Sequence, residues 1–439
     1  MKSSSGSRNE VGDEGPLAAH SWKLRLPGGG IESVDQSGPL YRGLSGREAL
    51  GANRSNLTKF EQAEIVHYKT VYYVGKYSSK QQELHQNSIT SNGTKACFTD
   101  SSGGYCTRTG DHLCYRYEIV KQIGSGSFGT VYKCKDHGLQ KFVAIKVCFN
   151  QQKMTNHARH ESSVLSHIQQ DNSREAFGIA KMLNHFKFRG HMCLVFELLG
   201  ANLYDHIKAN MFQPCRLYFI KCVALQMLDT LQYLATKKVI HCDIKPENIL
   251  LVRMGSCAVK LIDFGSSCFV SQPMYTYVQS RYYRSPEVLL GLSYGPEVDI
   301  WSLACVLVEL ATSRPLFAGE NEGQQLAAIS SLLGDPPEEM VKRSPKRDSF
   351  FESGTSQYRE KFLKLRKGYF LYPQGSQLRD ILGFTGQPSF IDFLTRCLKW
   401  DPAERITPME AVSHPWLNKF KFQFDTTSMG LISYSIGDF

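Results

Sequence analysis

A two-lobed α+β fold, with a small β-rich lobe ahead of a larger helical one, is indicated by how the hydrophobic pattern changes along this 439-residue chain. From Tyr117 to about residue 197, short β-branched runs dominate, interrupted by one helical pattern around Ala158 to Ile168. After about residue 202 long helical patterns take over. A glycine-rich stretch between Ile123 and Val131 separates two strand-like runs, Tyr117 to Ile123 and Val131 to Lys135, and so reads as a hairpin rather than a strand-to-helix turn.

Taken in order, residues 1 to about 56 are rich in Gly, Ser, Asn and Pro, with Gly28-Gly29-Gly30 at their centre. They hold too few apolar clusters to offset the entropy of ordering and are expected to be disordered. Residues 57–116 form a short accessory region. It opens as a capped amphipathic helix, with Thr58 before Phe60 and Ile65 and with Glu61 three places after the cap, and continues as a strand-like run, Thr70 to Gly75. The region is too short for a core of its own and is expected to pack on the β-rich lobe after it. Residues 117–417 make the main domain, and 418–439 a tail without strong periodicity.

The composition, 42% hydrophobic and 21% charged, is that of a soluble globular protein, and no run approaches the roughly 20 apolar residues of a membrane span. The first residues have no apolar segment behind them, so no secretory signal is expected. The thirteen cysteines are odd in number, scattered from Cys97 to Cys397 and free of any C-x-x-C pair, which favours reduced thiols in a cytoplasmic, alternatively also nuclear, protein. The sequons at Asn53, Asn56 and Asn92 are then chance matches. A net charge of +10 invites a nucleic-acid partner, but the basic residues form no aromatic-interleaved stripe, and no specific nucleic acid is expected. The cluster Lys342 to Arg347 reads as a solvated loop or a nuclear-import signal.

Chemistry concentrates in His241-Cys242-Asp243-Ile244-Lys245-Pro246-Glu247-Asn248, with Asp263-Phe264-Gly265 fifteen positions later. Phosphoryl transfer needs in-line positioning and charge neutralisation more than covalent chemistry. Asp243 would accept the proton of a substrate hydroxyl, with Lys245 beside it as a catalytic residue, while Asn248 and Asp263 would hold Mg²⁺, Mn²⁺ being an alternative, on the phosphates of ATP. Each part alone is weak; the order and spacing carry the reading.

The nucleotide set is completed upstream. Gly124-Ser125-Gly126-Ser127-Phe128-Gly129 lets the backbone approach phosphate, Ile123 precedes it, and Val131 would pack on adenine. Ala144 and Lys146 lie in the apolar strand Val143 to Lys146, where a lone charge is costly unless phosphate and a carboxylate compensate it. Glu161, fifteen residues on, shares a helix with Val164, Leu165 and Ile168 and is favoured as that carboxylate over a solvated surface glutamate. The run Met192 to Phe196 leads into Glu197, Leu198 and Leu199 as a hinge whose backbone would meet the adenine edge. Phe196 would restrict the pocket behind it, although core packing predicts its burial equally well.

Between Asp263 and Glu287 lies a gating segment in which Arg281 and Arg284 come four and seven residues after Tyr277, as a phosphotyrosine would need. Glu287 would pair with Arg405 as a buried tie, and Asp299 would brace the catalytic loop through backbone N–H groups.

Residues about 117 to 417 resemble a eukaryotic protein kinase of the CMGC group, specifically the dual-specificity tyrosine-phosphorylation-regulated kinases. The resemblance rests on His241-Cys242-Asp243, on Phe264-Gly265-Ser266-Ser267-Cys268 and on Tyr275-Thr276-Tyr277-Val278-Gln279-Ser280-Arg281. Upstream, Phe60 to Ile65, Val71 to Gly75, Gly104-Tyr105 to Asp111-His112 and Tyr115 to Tyr117 look like the accessory region and homology box of the class II members. The resemblance implies the bilobal protein-kinase fold and an enzyme acting on protein Ser and Thr, with a proline after the target residue and an arginine upstream; the sequence leaves the oligomeric state open, with a monomer as the expectation. It also implies autophosphorylation of Tyr277, Glu247 for the substrate arginine, and Arg281 at the proline pocket. The stretch from Gly334 to about Pro388 matches where the group lengthens its late helical region. Three departures stand out: Ser285 for Ala, Ile244 for Leu, and a polar run, His157 to Ser163, on the helix of Glu161. A catalytically weak pseudokinase or scaffold is the rival reading, and it depends on the unusual segment 151–161, since Lys146, Asp243, Asn248 and Asp263 are all present.

Overall fold

The computed structural model describes residues 42–76, 98–171, 178–272, 277–352, 357–359, 362, 372–373, 377–383 and 386–418. The readings made for residues 1–41, for the polar segment after Lys76 and for the tail after Asn418 lie outside them. The chain divides into two compact units, residues 1–151 with 186–195, and residues 152–185 with 196–439.

Alternation of apolar and polar residues builds the first unit around a six-stranded sheet. Its strands are β1 (His112–Leu113), β2 (Tyr117–Gly126), β3 (Gly129–Asp136), β4 (Lys141–Cys148), β5 (Met182–Phe188) and β6 (His191–Glu197), in the order β1-β2-β3-β4-β6-β5. The division between units falls inside β5 and β6. Antiparallel register sets Val131 opposite Lys146 and Lys133 opposite Ala144. Period-2 burial in β3 and β4 sends Tyr132, Cys134, Val143 and Ile145 inward.

The accessory region belongs to this unit and begins earlier than the sequence reading places it. Helix α1 (Gly46–Asn53) lies inside the stretch expected to be disordered, and a single 3₁₀ turn (Arg54–Asn56) comes directly after it. Ser45 and Glu48 close a capping box on α1, and Ala49 is buried with Leu57, Ile65, Val71 and Tyr115. Ala49, with Leu50 packed partly buried against the same cluster, ties the helix to a shared core, which an average over the segment's composition does not reveal. Helix α2 (Lys59–Ile65) starts as expected, with Thr58 and Glu61 in a reciprocal box. Thr70 to Gly75 does not form a strand; Val71 makes one isolated bridge with Leu44, and Tyr72 and Tyr73 N–H both donate to the Tyr115 carbonyl.

Arg189, in the β5–β6 turn at φ +47°, holds this region. Its guanidinium lies 4.1 Å from the Phe98 ring and 4.6 Å from that of Phe188, and it donates to Glu64 at 2.8 Å, Glu61 at 3.3 Å and the Tyr105 hydroxyl at 3.2 Å. His112 Nε2 donates to Glu61 at 3.0 Å while its Nδ1 accepts from the Tyr115 N–H. Burial holds that imidazole below its ordinary pKa and neutral.

The second unit is helical: α3 (Gln152–Ile168), α4 (Leu203–Ala209), α5 (Leu217–Thr236), α6 (Pro286–Leu289), α7 (Glu297–Thr312), α8 (Glu322–Leu333), α9 (Glu338–Arg343), α10 (Arg347–Phe350), α11 (Leu378–Leu382), α12 (Pro388–Cys397) and α13 (Pro408–Val412). Short pairs β7 (Val239–Ile240) with β10 (Cys268–Phe269) and β8 (Ile249–Leu251) with β9 (Val259–Leu261) carry the loops between α5 and α6. Every residue of α7 from Val298 to Ala311 is buried, in a core that includes Trp301, Phe317, Phe390, Phe393 and Trp416. A helix buried on every side, Asp299, Ser302 and Glu309 included, lies at the centre of its unit. Helix α3 reaches back to Gln152, so the polar run His157 to Ser163 is fully helical. Among the described residues no helix is long and apolar enough to cross a membrane.

Replacing Arg189 by Met would leave the buried Glu61 and the half-buried Glu64 without their cation, at a cost of about 3 to 5 kcal/mol. Urea unfolding of Arg189→Met should show that loss, with early proteolysis within residues 57–116. Unfolding within about 1 kcal/mol of the parent would mean that the cation does not hold the region.

Candidate active site

In the first unit, the β2–β3 hairpin closes at Gly126 opposite Gly129. A Cβ on Gly129 would press into the Val147 carbonyl, so only glycine permits the close approach of β3 to β4 there. Ile123, Ser125, Gly126 and Ser127 are exposed, Gly124, Phe128 and Val131 half-buried, and the Lys146 Nζ lies 5.7 Å from the Phe128 ring centroid. Backbone that nears a ligand without side-chain bulk, with a lysine beside Val131 on the adjoining strand, suits a phosphate group.

The remaining chemistry is in the second unit, starting from Asp299 near the start of α7. Its carboxylate, 2% exposed, accepts the His241 N–H at 2.8 Å and the Cys242 N–H at 3.0 Å, the brace expected from sequence. Burial pushes this carboxyl up to about 6, while those two donors act in the opposite direction. His241 Nδ1 accepts from the Asp243 N–H, its Nε2 donates to the Ile262 carbonyl at 3.0 Å, and its ring meets Phe264 edge to face at 4.8 Å.

Asp243 is held on both oxygens. Oδ1 accepts from Ser280 N at 3.0 Å and Ser280 Oγ at 2.7 Å; Oδ2 accepts from Lys245 Nζ at 2.7 Å and Asn248 Nδ2 at 3.2 Å. Lys245 also donates to Ser280 Oγ at 3.0 Å, closing a ring of contacts. Sequence reasoning misses Ser280, because a serine in a polar loop carries no spacing signal. Asn248 Nδ2 is further committed to the Asp243 carbonyl at 2.8 Å, which leaves its Oδ1 as the atom able to face a cation. The Asn248 carbonyl accepts from Ile262 N–H, next to Asp263, at 2.9 Å. An amide oxygen and a carboxylate are the hard donors a divalent cation such as Mg²⁺ takes, so the residues fit that group.

Asp263 has φ +63°, a left-handed conformation that Asp tolerates better than most residues but still at a cost. Glu161 is buried on α3, and a Cβ on Gly265 would lie 3.8 Å from its carboxylate and 3.3 Å from that of Asp263. Lys146 belongs to the first unit and Glu161 to the second, and each is placed within its own unit. Phe196 is half-buried against the core of the second unit, and Glu197 accepts from Lys260 at 2.5 Å and from Lys181 N–H at 2.7 Å; Leu198 and Leu199 are half-buried.

Tyr277 is 60% exposed, and the Arg284 guanidinium lies 3.9 Å from its ring centroid. A hydrogen bond to Arg284, and then its charge, lower the phenol's pKa despite some burial. Arg281 donates to the Glu320 carbonyl at 2.6 Å, and Glu247 is exposed. The buried Gln279 donates to Val298 O and Ser302 Oγ and accepts from Ser285 N and Oγ, giving the unusual Ser285 hydroxyl a partner. Cys242, where most kinases have arginine, sits with its Sγ 3.7 Å from that of Cys268. Glu287 and Arg405 pair as expected, with two bonds of 2.6 Å, both side chains almost fully buried.

The sequence profile described as protein kinase domain matches residues 117–417. The chain is 41% identical over 389 residues to dual specificity tyrosine-phosphorylation-regulated kinase 3 of Mus musculus, covering 86% of this chain and 66% of that protein. It is 40% identical over 376 residues to dual specificity tyrosine-phosphorylation-regulated kinase 4 of Homo sapiens, covering 86% and 71%. The corresponding kinase 2 of Drosophila melanogaster is 42% identical over 364 residues, covering 83% and 50%. The chain thus spans just under two thirds of the mouse relative's length and half of the fly relative's.

One carboxyl of the site's scaffold makes stability depend on pH. Tyr283 donates to Glu309 at 2.7 Å, and burial raises the Glu309 carboxyl from 4.5 to about 7, with the Glu247 charge adding to the rise. Because the folded chain binds this proton more tightly than the unfolded one, the stabilisation is complete below about 4.5 and is lost as pH rises through about 7. The gap corresponds to on the order of 3 kcal/mol. Glu309→Gln has no such proton, so the stability of parent minus variant should fall by about that much between pH 4.5 and 8 in urea titrations. A difference that does not change with pH would contradict it.

Proposed function

Because this chain belongs to the protein kinases, and within them to the dual-specificity tyrosine-phosphorylation-regulated kinases, we propose that it transfers the γ-phosphoryl group of ATP to Ser and Thr hydroxyls of proteins and, within its own gating segment, to Tyr277. The observation that carries this reading is Asp243, whose carboxylate is fixed by Ser280 on one oxygen and by Lys245 and Asn248 on the other. A carboxylate so held can orient a substrate hydroxyl and take its proton late in transfer, while Lys245 offers positive charge beside the transferring group.

ATP with its divalent cation, which we take to be Mg²⁺, supplies the phosphoryl group and offsets its charge. The glycine hairpin and Lys146 are proposed to hold phosphates, and Asn248 Oδ1 and the Asp263 carboxylate the cation. Glu247, exposed beside the catalytic loop, suits a substrate arginine, and Arg281 the site of the proline after the target residue. Arg284, whose guanidinium lies over the Tyr277 ring, is proposed to pair with a phosphate there. A monomer resident in the cytoplasm, with the nucleus as a second site, completes the proposal. The scaffold reading is not favoured, since its one support, a doubtful helix around Glu161, is lost with the continuous α3.

Mass spectrometry of the recombinant chain should find phosphate on Tyr277 in the parent and none in Asp243→Asn or Lys146→Arg. Asp243→Asn should also lower turnover on Arg-x-x-Ser/Thr-Pro peptides by about 10² to 10⁴. Tyr277 without phosphate in all three chains, together with no peptide turnover by the parent, would return the scaffold reading to the lead.

A further inference from the structure

Helix α3 carries three histidines on one flank, at positions i, i+3 and i+10, which 3.6 residues per turn places within about 80° of one another beside the stripe of Glu161, Val164 and Ile168. Each residue is half-buried, and each ring meets a main-chain carbonyl. His160 Nε2 is 2.8 Å from Ser267 O, His157 Nδ1 3.3 Å from Gly265 O, and His167 Nε2 3.2 Å from Lys237 O. The first two acceptors lie just past the metal-binding Asp263, and the third lies in the turn that leads from α5 into β7 and the catalytic loop.

The Asp263 turn needs such support. Its backbone is left-handed at Asp263, and the one 3₁₀ turn Phe264–Ser266 is closed from within by Ser267 N–H and Oγ on the Phe264 carbonyl. A strained conformation persists only where the surroundings over-determine it. The imidazole donors of α3 supply restraint from outside the turn, and the Gly265 and Ser267 carbonyls would otherwise face the helix without those partners. The polar face that departs from the family's usual helix therefore has a use.

Resting on the kinase reading above, we propose that His160 and His157 are positioning residues: they hold the Gly265 and Ser267 backbone, and through it the Asp263 carboxylate, in the arrangement that takes the divalent cation, while His167 anchors the far end of the same helix. They touch no reacting atom, so their removal weakens use of the metal more than it slows the transfer step. Loss of one such hydrogen bond, typically about 1 kcal/mol, gives an effect of about 3- to 10-fold.

The test compares His160→Leu, which has no donor, with His160→Gln, which keeps an N–H. Two readouts are used: hydrogen exchange of the peptide covering residues 263–268 without nucleotide, and the Mg²⁺ concentration for half-maximal peptide phosphorylation beside kcat. His160→Leu should exchange faster in that peptide and need about 3 to 10 times more Mg²⁺, with kcat changed less and the thermal midpoint near the parent's. His160→Gln should recover most of both. Parental exchange and metal dependence in His160→Leu, or equal losses in the Leu and Gln variants, would overturn the proposal. If His160→Leu does not fold, His157→Leu gives the same readouts. A parent that phosphorylates nothing defeats the kinase reading alone, and the exchange comparison still decides the role of the histidines.

Discussion

Two backbone N–H groups at the start of the catalytic loop end on one buried carboxylate, and most of the second unit's chemistry depends on that. Asp299 sits near the first turn of a helix that is buried from Val298 to Ala311, so its position is fixed by the core and not by the loop it serves. Burying a carboxylate is costly, and its raised pKa reflects this, yet the two N–H donors give it hydrogen-bond partners. With His241 N–H and Cys242 N–H held, the His241 ring is directed at Ile262 and Phe264, and Cys242 adopts φ +64°. The Cys242 carbonyl then accepts from Gln279 N–H at 2.9 Å, so the same anchor reaches the gating segment.

That segment is held at its end by a different device. Glu287 and Arg405, 118 positions apart, form a doubly bonded pair with almost no solvent exposure. Arg405 spends its remaining donors on the carbonyls of Lys399, Trp400 and Glu297 and lies 5.1 Å from the Trp301 ring centroid. A buried pair of this kind is weak evidence of net stability but strong evidence of a required register, because losing either partner strands the other charge. Between the two anchors, Ser280 is delivered to Asp243 and Tyr277 is left exposed above Arg284. Exposure of the tyrosine and rigidity of the residues beneath it come from the same arrangement.

The first unit shows how a segment poor in apolar residues still becomes ordered. Its accessory helices contribute Ala49 and Ile65, and the link between them Leu57, to a small cluster with Tyr115, and two acidic residues of α2, Glu61 and Glu64, pair with Arg189. Phe98 and Phe188 enclose the same guanidinium, so one side chain gathers apolar and ionic contacts from residues far apart in sequence. Composition averaged over a window cannot register this, which is why helix α1 is legible only as polar chain. The two helix starts differ in this respect: Thr58 with Glu61 announces α2 before an apolar run, whereas Ser45 with Glu48 precedes little that is apolar.

The groups that do chemistry, and the order of the two kinds of structure, are written in the linear chain. Asp243, Asn248, Asp263 and Lys146 stand in short motifs whose spacing is local, and local spacing survives in one dimension. The ties of Glu287 to Arg405 and of Asp299 to the loop are legible there too, because both belong to recurring motifs. Which polar residues serve those groups is settled by folding alone. Ser280 beside Asp243, Glu309 beneath Tyr283, Arg189 against the rings of Phe60 and Phe98, and the histidines of α3 against Gly265 and Ser267 are all contacts across long separations. A serine, a glutamate or a histidine has the same local signature on a solvated face as in such a contact, and burial, which separates the two, is a property of the folded chain.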